Sequence, residues 1–112
     1  MKLTFFFQPV TDLAEAIGFY RDQLGFEEAW READDTVSFW VPGRFAQIMV
    51  STDTGSAGAA GPQYLVDSVD AWITEHADVV IVSEKSEIPG GSVVGFAAPG
   101  GHVFYVFDQP NA

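Results

Sequence analysis

The sequence contains no cysteine. That excludes disulfides, thiolate catalysis and any zinc or iron–sulfur site built on cysteine, and it agrees with a cytoplasmic setting. Basic residues are scarce: five Lys and Arg stand against sixteen Asp and Glu, a formal net charge of −11. Such a surface repels phosphate backbones, so nucleic acid is not an expected partner. No run of eighteen apolar residues occurs, so no membrane-spanning helix is expected. The opening "MKLTFFFQPV" has no small-residue cleavage site and reads as a first strand, not a signal peptide. Histidine is limited to His76 and His102. Nothing pairs either with a serine and an aspartate at a recognisable spacing, and no catalytic residue is assigned.

What is present is a chain of 112 residues, 47% hydrophobic and 19% charged. That is one globular domain over 1–112 with enough apolar residues for a core. "LTFFFQPV" is an apolar run that suits a strand. In "TDLAEAIGFYRDQLG", Asp12 and Glu15 have capping-box spacing, and Leu13, Ile17, Tyr20 and Leu24 fall on one helical face. Gly25 is placed to end that helix in a left-handed conformation. "FEEAW", "TVSFWV" and "RFAQIMVS" read as three short strands, with turns at Asp34-Asp35 and Pro42-Gly43.

The glycine-rich "TDTGSAGAAGP", 52–62, reads as a flexible linker. Then the pattern restarts. "QYLV" is a strand, Asp67 or Ser68 caps a helix, and Val69, Trp72, Ile73 and His76 share its apolar face. "DVVIVSE", "GSVVGFAA" and "HVFYVFD" supply three more strands, with "PGG" turning the last pair. The chain is a tandem repeat of strand, helix and three strands, with modules at about 1–53 and 62–110.

"VTDLAEAIGFYRDQLGFE" resembles the first helix of the vicinal oxygen chelate superfamily: glyoxalase I, bleomycin-resistance proteins and extradiol dioxygenases. "YLVDSVDAW" is similar to the superfamily's second helix entry, and "APGGHVFYVFD" to its final hairpin. The resemblance implies an α+β fold of two βαβββ modules, a curled mixed sheet around a small-molecule cup. In metal-dependent members, four strands supply His, Glu or Gln ligands to a divalent cation. Carried onto this chain, those positions are Phe5, Met49, Gly61 and Tyr105. Shifting the register adds Gln8, Gln47, Gln63 and His102, and no carboxylate is expected on the four strands. Neutral amides and one imidazole hold a dication weakly, so no metal and no cofactor is assigned.

Strand alternation instead lines the cup with Phe5, Phe7, Trp40, Gln47, Met49, Gln63, Tyr105 and Phe107. Aromatic walls with a few amides suit a small planar ligand. The acids Glu27, Glu28, Glu32, Asp34 and Asp35 are either a solvated face or a rim that attracts a cation. The expected function is metal-independent binding of a small molecule, an aromatic or cationic antibiotic or metabolite, by a homodimer. The alternative is a metal-dependent lyase, isomerase or dioxygenase with atypical ligands. His76 is expected to be structural at a helix end, and His102 to cap a turn.

Overall fold

The computed structural model describes residues 1–53 and 58–112. Residues 54–57, the middle of the expected linker, lie outside the described residues. The chain divides into two compact units, Thr4–Ala60 and Met1–Leu3 with Gly61–Ala112. Each is a strand, a helix and three strands, so the fold is α+β.

In the first unit, β1 (Lys2–Pro9) leads into α1 (Leu13–Ile17). The Asp12 carboxylate accepts the Glu15 N–H at 3.1 Å, and this satisfies one of the amides that a helix start leaves unpaired. The helix then widens into a π-helical turn over Gly18–Gln23. The Leu24 N–H reaches back to Phe19 O at 3.0 Å, and the Phe26 N–H to Tyr20 O at 2.9 Å. Gly25, at φ 75°, takes the left-handed conformation that ends the turn without a Cβ penalty.

Widening corrects the expected apolar face. An inserted residue rotates the side chains after it about the helix axis, so Tyr20 stays buried while Leu24 is 49% exposed. Phe26 packs on the core in its place. Strands β2 (Glu27–Glu32), β3 (Thr36–Trp40) and β4 (Gln47–Ser51) complete the unit in the order β2-β3-β4-β1. β4 runs parallel to β1, and the other pairs are antiparallel. Ala16, Tyr20, Val37, Phe39 and Val50 form the core between sheet and helix. Tyr20 stacks on Phe39 at 5.7 Å.

The second unit repeats this plan. β5 spans Gly61–Leu65 and so begins inside the segment expected as linker. Of the two capping candidates, Ser68 caps α2 (Val69–Glu75): its hydroxyl accepts the Ala71 N–H at 3.2 Å. β6 covers Ile81–Ile88, starting and ending later than "DVVIVSE". β7 (Gly91–Ala98) and β8 (His102–Asp108) follow, in the order β5-β8-β7-β6. Val69, Trp72, Val94, Phe96 and Val106 make this core. His76 ends α2 with its ring stacked on Trp72 at 4.1 Å and its Nδ1 2.9 Å from Trp72 O, a structural placement. His102 opens β8 on the surface, its ring near Gly100.

Candidate functional site

Pairing registers sort each strand into two faces, because side chains alternate. In the first unit the helix covers Val37, Phe39, Ile48 and Val50. The opposite face carries Phe5, Phe7, Gln47, Met49, Ser38 and Trp40. One row runs Phe5, Gln47, Trp40, Glu27 across the four strands, and the next runs Phe7, Met49, Ser38, Trp30. The expected parity holds for these strands: Trp40, not Phe39, lies on the face away from the helix.

Trp30 is a member that sequence reasoning missed. A bulge between Glu28 and Trp30 breaks the alternation of "FEEAW" and hides which face the indole takes. Three strand spacings separate β2 from β1, about 14 Å in a flat sheet. Yet the Phe5 and Trp30 rings meet edge to face at 5.9 Å. The sheet of this unit is therefore strongly curled, and this face is concave.

On that face, Ser38 and Gln47 are buried, at 0% and 8% exposed, and the Ser38 hydroxyl donates to Gln47 Oε1 at 2.6 Å. Trp40 is half-buried, and its ring is covered by Arg44, whose guanidinium carbon sits 4.5 Å from the ring centre. Arg44 also pairs with Glu27. It can do so because Gly43 and Arg44 both take positive φ, 91° and 58°, and turn the chain back over the indole. Phe5 and Met49 are half-buried, and Phe7 is buried.

In the second unit, Gln63 lies opposite Tyr105 and Leu65 opposite Phe107, with Gly95 beyond Tyr105 on β7. Tyr105 and Phe107 are buried, and Gln63 is half-buried. A Cβ at Gly95 would stand 3.0 Å from the Tyr105 ring, so the glycine makes room for that phenol.

The expectation that none of the four strands carries a carboxylate is corrected by Asp108, the last residue of β8. Its side chain is spent on structure: Oδ2 accepts the Val69 N–H at 2.8 Å, and Oδ1 accepts the Ser92 N–H at 3.0 Å. Gln8 is engaged too, accepting the Tyr20 hydroxyl at 2.5 Å on the helix side.

Against these positions the superfamily's dication can be tested. Phe5 offers no donor. Gly61 has no side chain, and a Cβ there would collide with the Val103 carbonyl oxygen, so no ligating residue fits without moving backbone. Among the described residues no three His, Cys, Asp or Glu come together to hold a metal. The residues present do not fit the metal.

The edge strand β2 carries acids on both faces: Glu27 and Glu32, opposite Trp40 and Thr36, share the concave face, and Glu28, opposite Phe39, lies on the helix side. The Glu28 carboxylate accepts from Arg31 at 2.8 Å, and that hydrogen bond holds its pKa below the ordinary carboxylate range. The exposed Asp22 is lowered in the same way by Arg21. Two clefts open on the helix sides, about 550 Å³ beside Asp12, Glu15 and Tyr20 and about 630 Å³ beside Ser68, Glu75 and His76. They occupy equivalent places in the repeat.

Tandem strand–helix–three-strand units, with an amide and aromatic rings on one curled face of the first, define a small α+β scaffold. A family model described as the Glyoxalase/Bleomycin resistance protein/Dioxygenase superfamily matches residues 2–108. The chain belongs to that superfamily.

Solved structures share the fold. A hypothetical protein from Bacillus halodurans C-125 aligns with a TM-score of 0.74 at 14% identity, covering 99% of this chain and 96% of that one. A Streptomyces coelicolor methylmalonyl-CoA epimerase in complex with 2-nitronate-propionyl-CoA gives 0.73 at 14%, covering 98% and 95%. A superfamily member from Vibrio splendidus 12B01 gives 0.62 at 18%, covering 93% and 95%. At these identities the likeness concerns the fold alone. No curated protein matches the chain. Among the described residues no helix is long and apolar enough to cross a membrane.

Proposed function

We propose that the chain is a metal-independent small-molecule binding protein that sequesters a planar aromatic compound, one with a cationic group included. The observation that carries this reading is the concave face of the first unit. Its rows present Phe5 and Met49 where a metal-dependent relative needs imidazole or carboxylate, with Gln47, Trp40 and Trp30 beside them. Rings with offset or edge contacts contribute about 0.5–1.5 kcal/mol per pair beyond burial. The charge of −11 raises the local concentration of a cation. Gln63, Tyr105 and Phe107 of the second unit belong to the same proposal, as does the homodimer, which sedimentation velocity reads directly.

Calorimetric titration with cationic glycopeptide and aromatic antibiotics, with and without EDTA, tests the reading. Saturable heat that EDTA leaves unchanged is the expected result. Binding that EDTA abolishes and Ni²⁺, Zn²⁺, Mn²⁺ or Fe²⁺ restores overturns it, and so does heat-silent mixing across the panel.

A further inference from the structure

Opposite Phe5, one of the positions that correspond to the superfamily's metal ligands, this chain places an amide, Gln47. On the metal-independent reading proposed above, that difference says what kind of ligand atom the face accepts. Gln47 is 8% exposed, and its Oε1 is committed to the Ser38 hydroxyl at 2.6 Å. With Oε1 turned to Ser38, both Nε2 hydrogens remain as donors. Ser38 is itself fully buried, so this partner of the amide lies within the sheet.

Among the described residues no protein acceptor meets Gln47 Nε2. Nor, among them, is any side-chain nitrogen or oxygen both sealed and without a partner. Nε2 therefore opens onto the concave face. A donor held in place beside aromatic rings, with its own acceptor elsewhere, matches one ligand group, a hydrogen-bond acceptor on a flat molecule.

We propose that Gln47 Nε2 is the ligand-anchoring donor, taking the carbonyl oxygen of a planar, neutral carbonyl or carboxamide compound that lies among Phe5, Trp30 and Trp40. A neutral carbonyl fits better than a carboxylate. Arg44, the cation at the end of this row, is already paired with Glu27 and stacked on Trp40, and a net charge of −11 opposes an anion. A cation is repelled at this atom, since the amide presents hydrogens. A cationic group elsewhere on the same ligand is left at the rim, near Glu27 and Glu32. Gln47 is thus a positioning and selectivity residue that replaces Lewis-acid recognition of an oxygen with hydrogen-bond recognition of one.

The test is titration of ¹⁵N-labelled protein with benzamide and, separately, with toluene, its counterpart without the carbonyl, followed by side-chain amide and indole NMR signals. Benzamide is expected to shift the Gln47 NH₂ pair together with the Trp30 and Trp40 indoles, while toluene shifts the indoles alone. Gln47→Glu keeps the size and the Ser38 bond but removes the donors. It should weaken benzamide about tenfold more than it weakens toluene, the worth of one hydrogen bond. If the indoles respond and the Gln47 pair does not, or if both compounds move it alike, the proposal falls while the binding reading stands. If neither compound moves a signal on this face, the proposal falls, and the calorimetric panel decides the binding reading separately.

Discussion

Replacing Asp108 with Ala should destabilise the second unit severely. The carboxylate is 7% exposed and accepts three hydrogen bonds: Val69 N–H at 2.8 Å, Ser92 N–H at 3.0 Å and Ser92 Oγ at 3.3 Å. Truncation leaves two backbone donors without a partner. Val69 is fully buried, so water cannot reach its amide, and the Ser68 hydroxyl, already engaged by Ala71, does not replace the lost oxygen. Each stranded donor costs about 1–3 kcal/mol. A total of roughly 3–5 kcal/mol is a large part of a domain stability of about 5–15 kcal/mol. For a chain of this size that lowers Tm by roughly 10–20 °C. Calorimetric melting measures it, with Asp78→Ala as an exposed control. Hydrogen exchange supplies a local reading, because the Val69 amide should lose protection before the β7–β8 ladder does. A melting point within about 2 °C of the parent protein would contradict this account of Asp108.

Four further outcomes rest on the same geometry. Tyr20→Phe should cost about 1 kcal/mol through the lost bond to Gln8. Leu24→Lys, on the same nominal helical face, should cost less than about 0.5 kcal/mol because the side chain is exposed; urea unfolding separates the two. Gly95→Ala puts a methyl 2.8 Å from Ser83 Cβ and 3.0 Å from the Tyr105 ring, an overpacking worth about 1–3 kcal/mol in the same assay. Glu28 has its pKa lowered by Arg31, so its contribution is present above the ordinary carboxylate range and disappears as pH falls through the lowered value. Both side chains are largely solvated, so Glu28→Gln should lower Tm at neutral pH by less than about 2 °C, and at strongly acidic pH not at all.

Much of the fold was legible because the signals are local. Asp12 and Ser68 cap from three residues away, and the bounds of β7 and β8 follow from the glycine turn between apolar runs. Strand parity placed Phe5, Trp40 and Gln47 on one face. Long-range or irregular features were not legible. The π-helical turn changes the period that put Leu24 on the apolar face. The bulge before Trp30 defeats alternation. Arg44 covers Trp40 only because two successive residues take positive φ, which the motif Pro-Gly-Arg does not announce. Asp108 meets Val69 across 39 positions, and no local pattern marks that contact.

That last contact makes β8 the clasp of the second unit. β8 holds β5 as its parallel neighbour and β7 as its antiparallel one, and through Asp108 it also holds the first amide of the seven-residue α2. The unit's first strand and its helix are thus both tied down by its last strand.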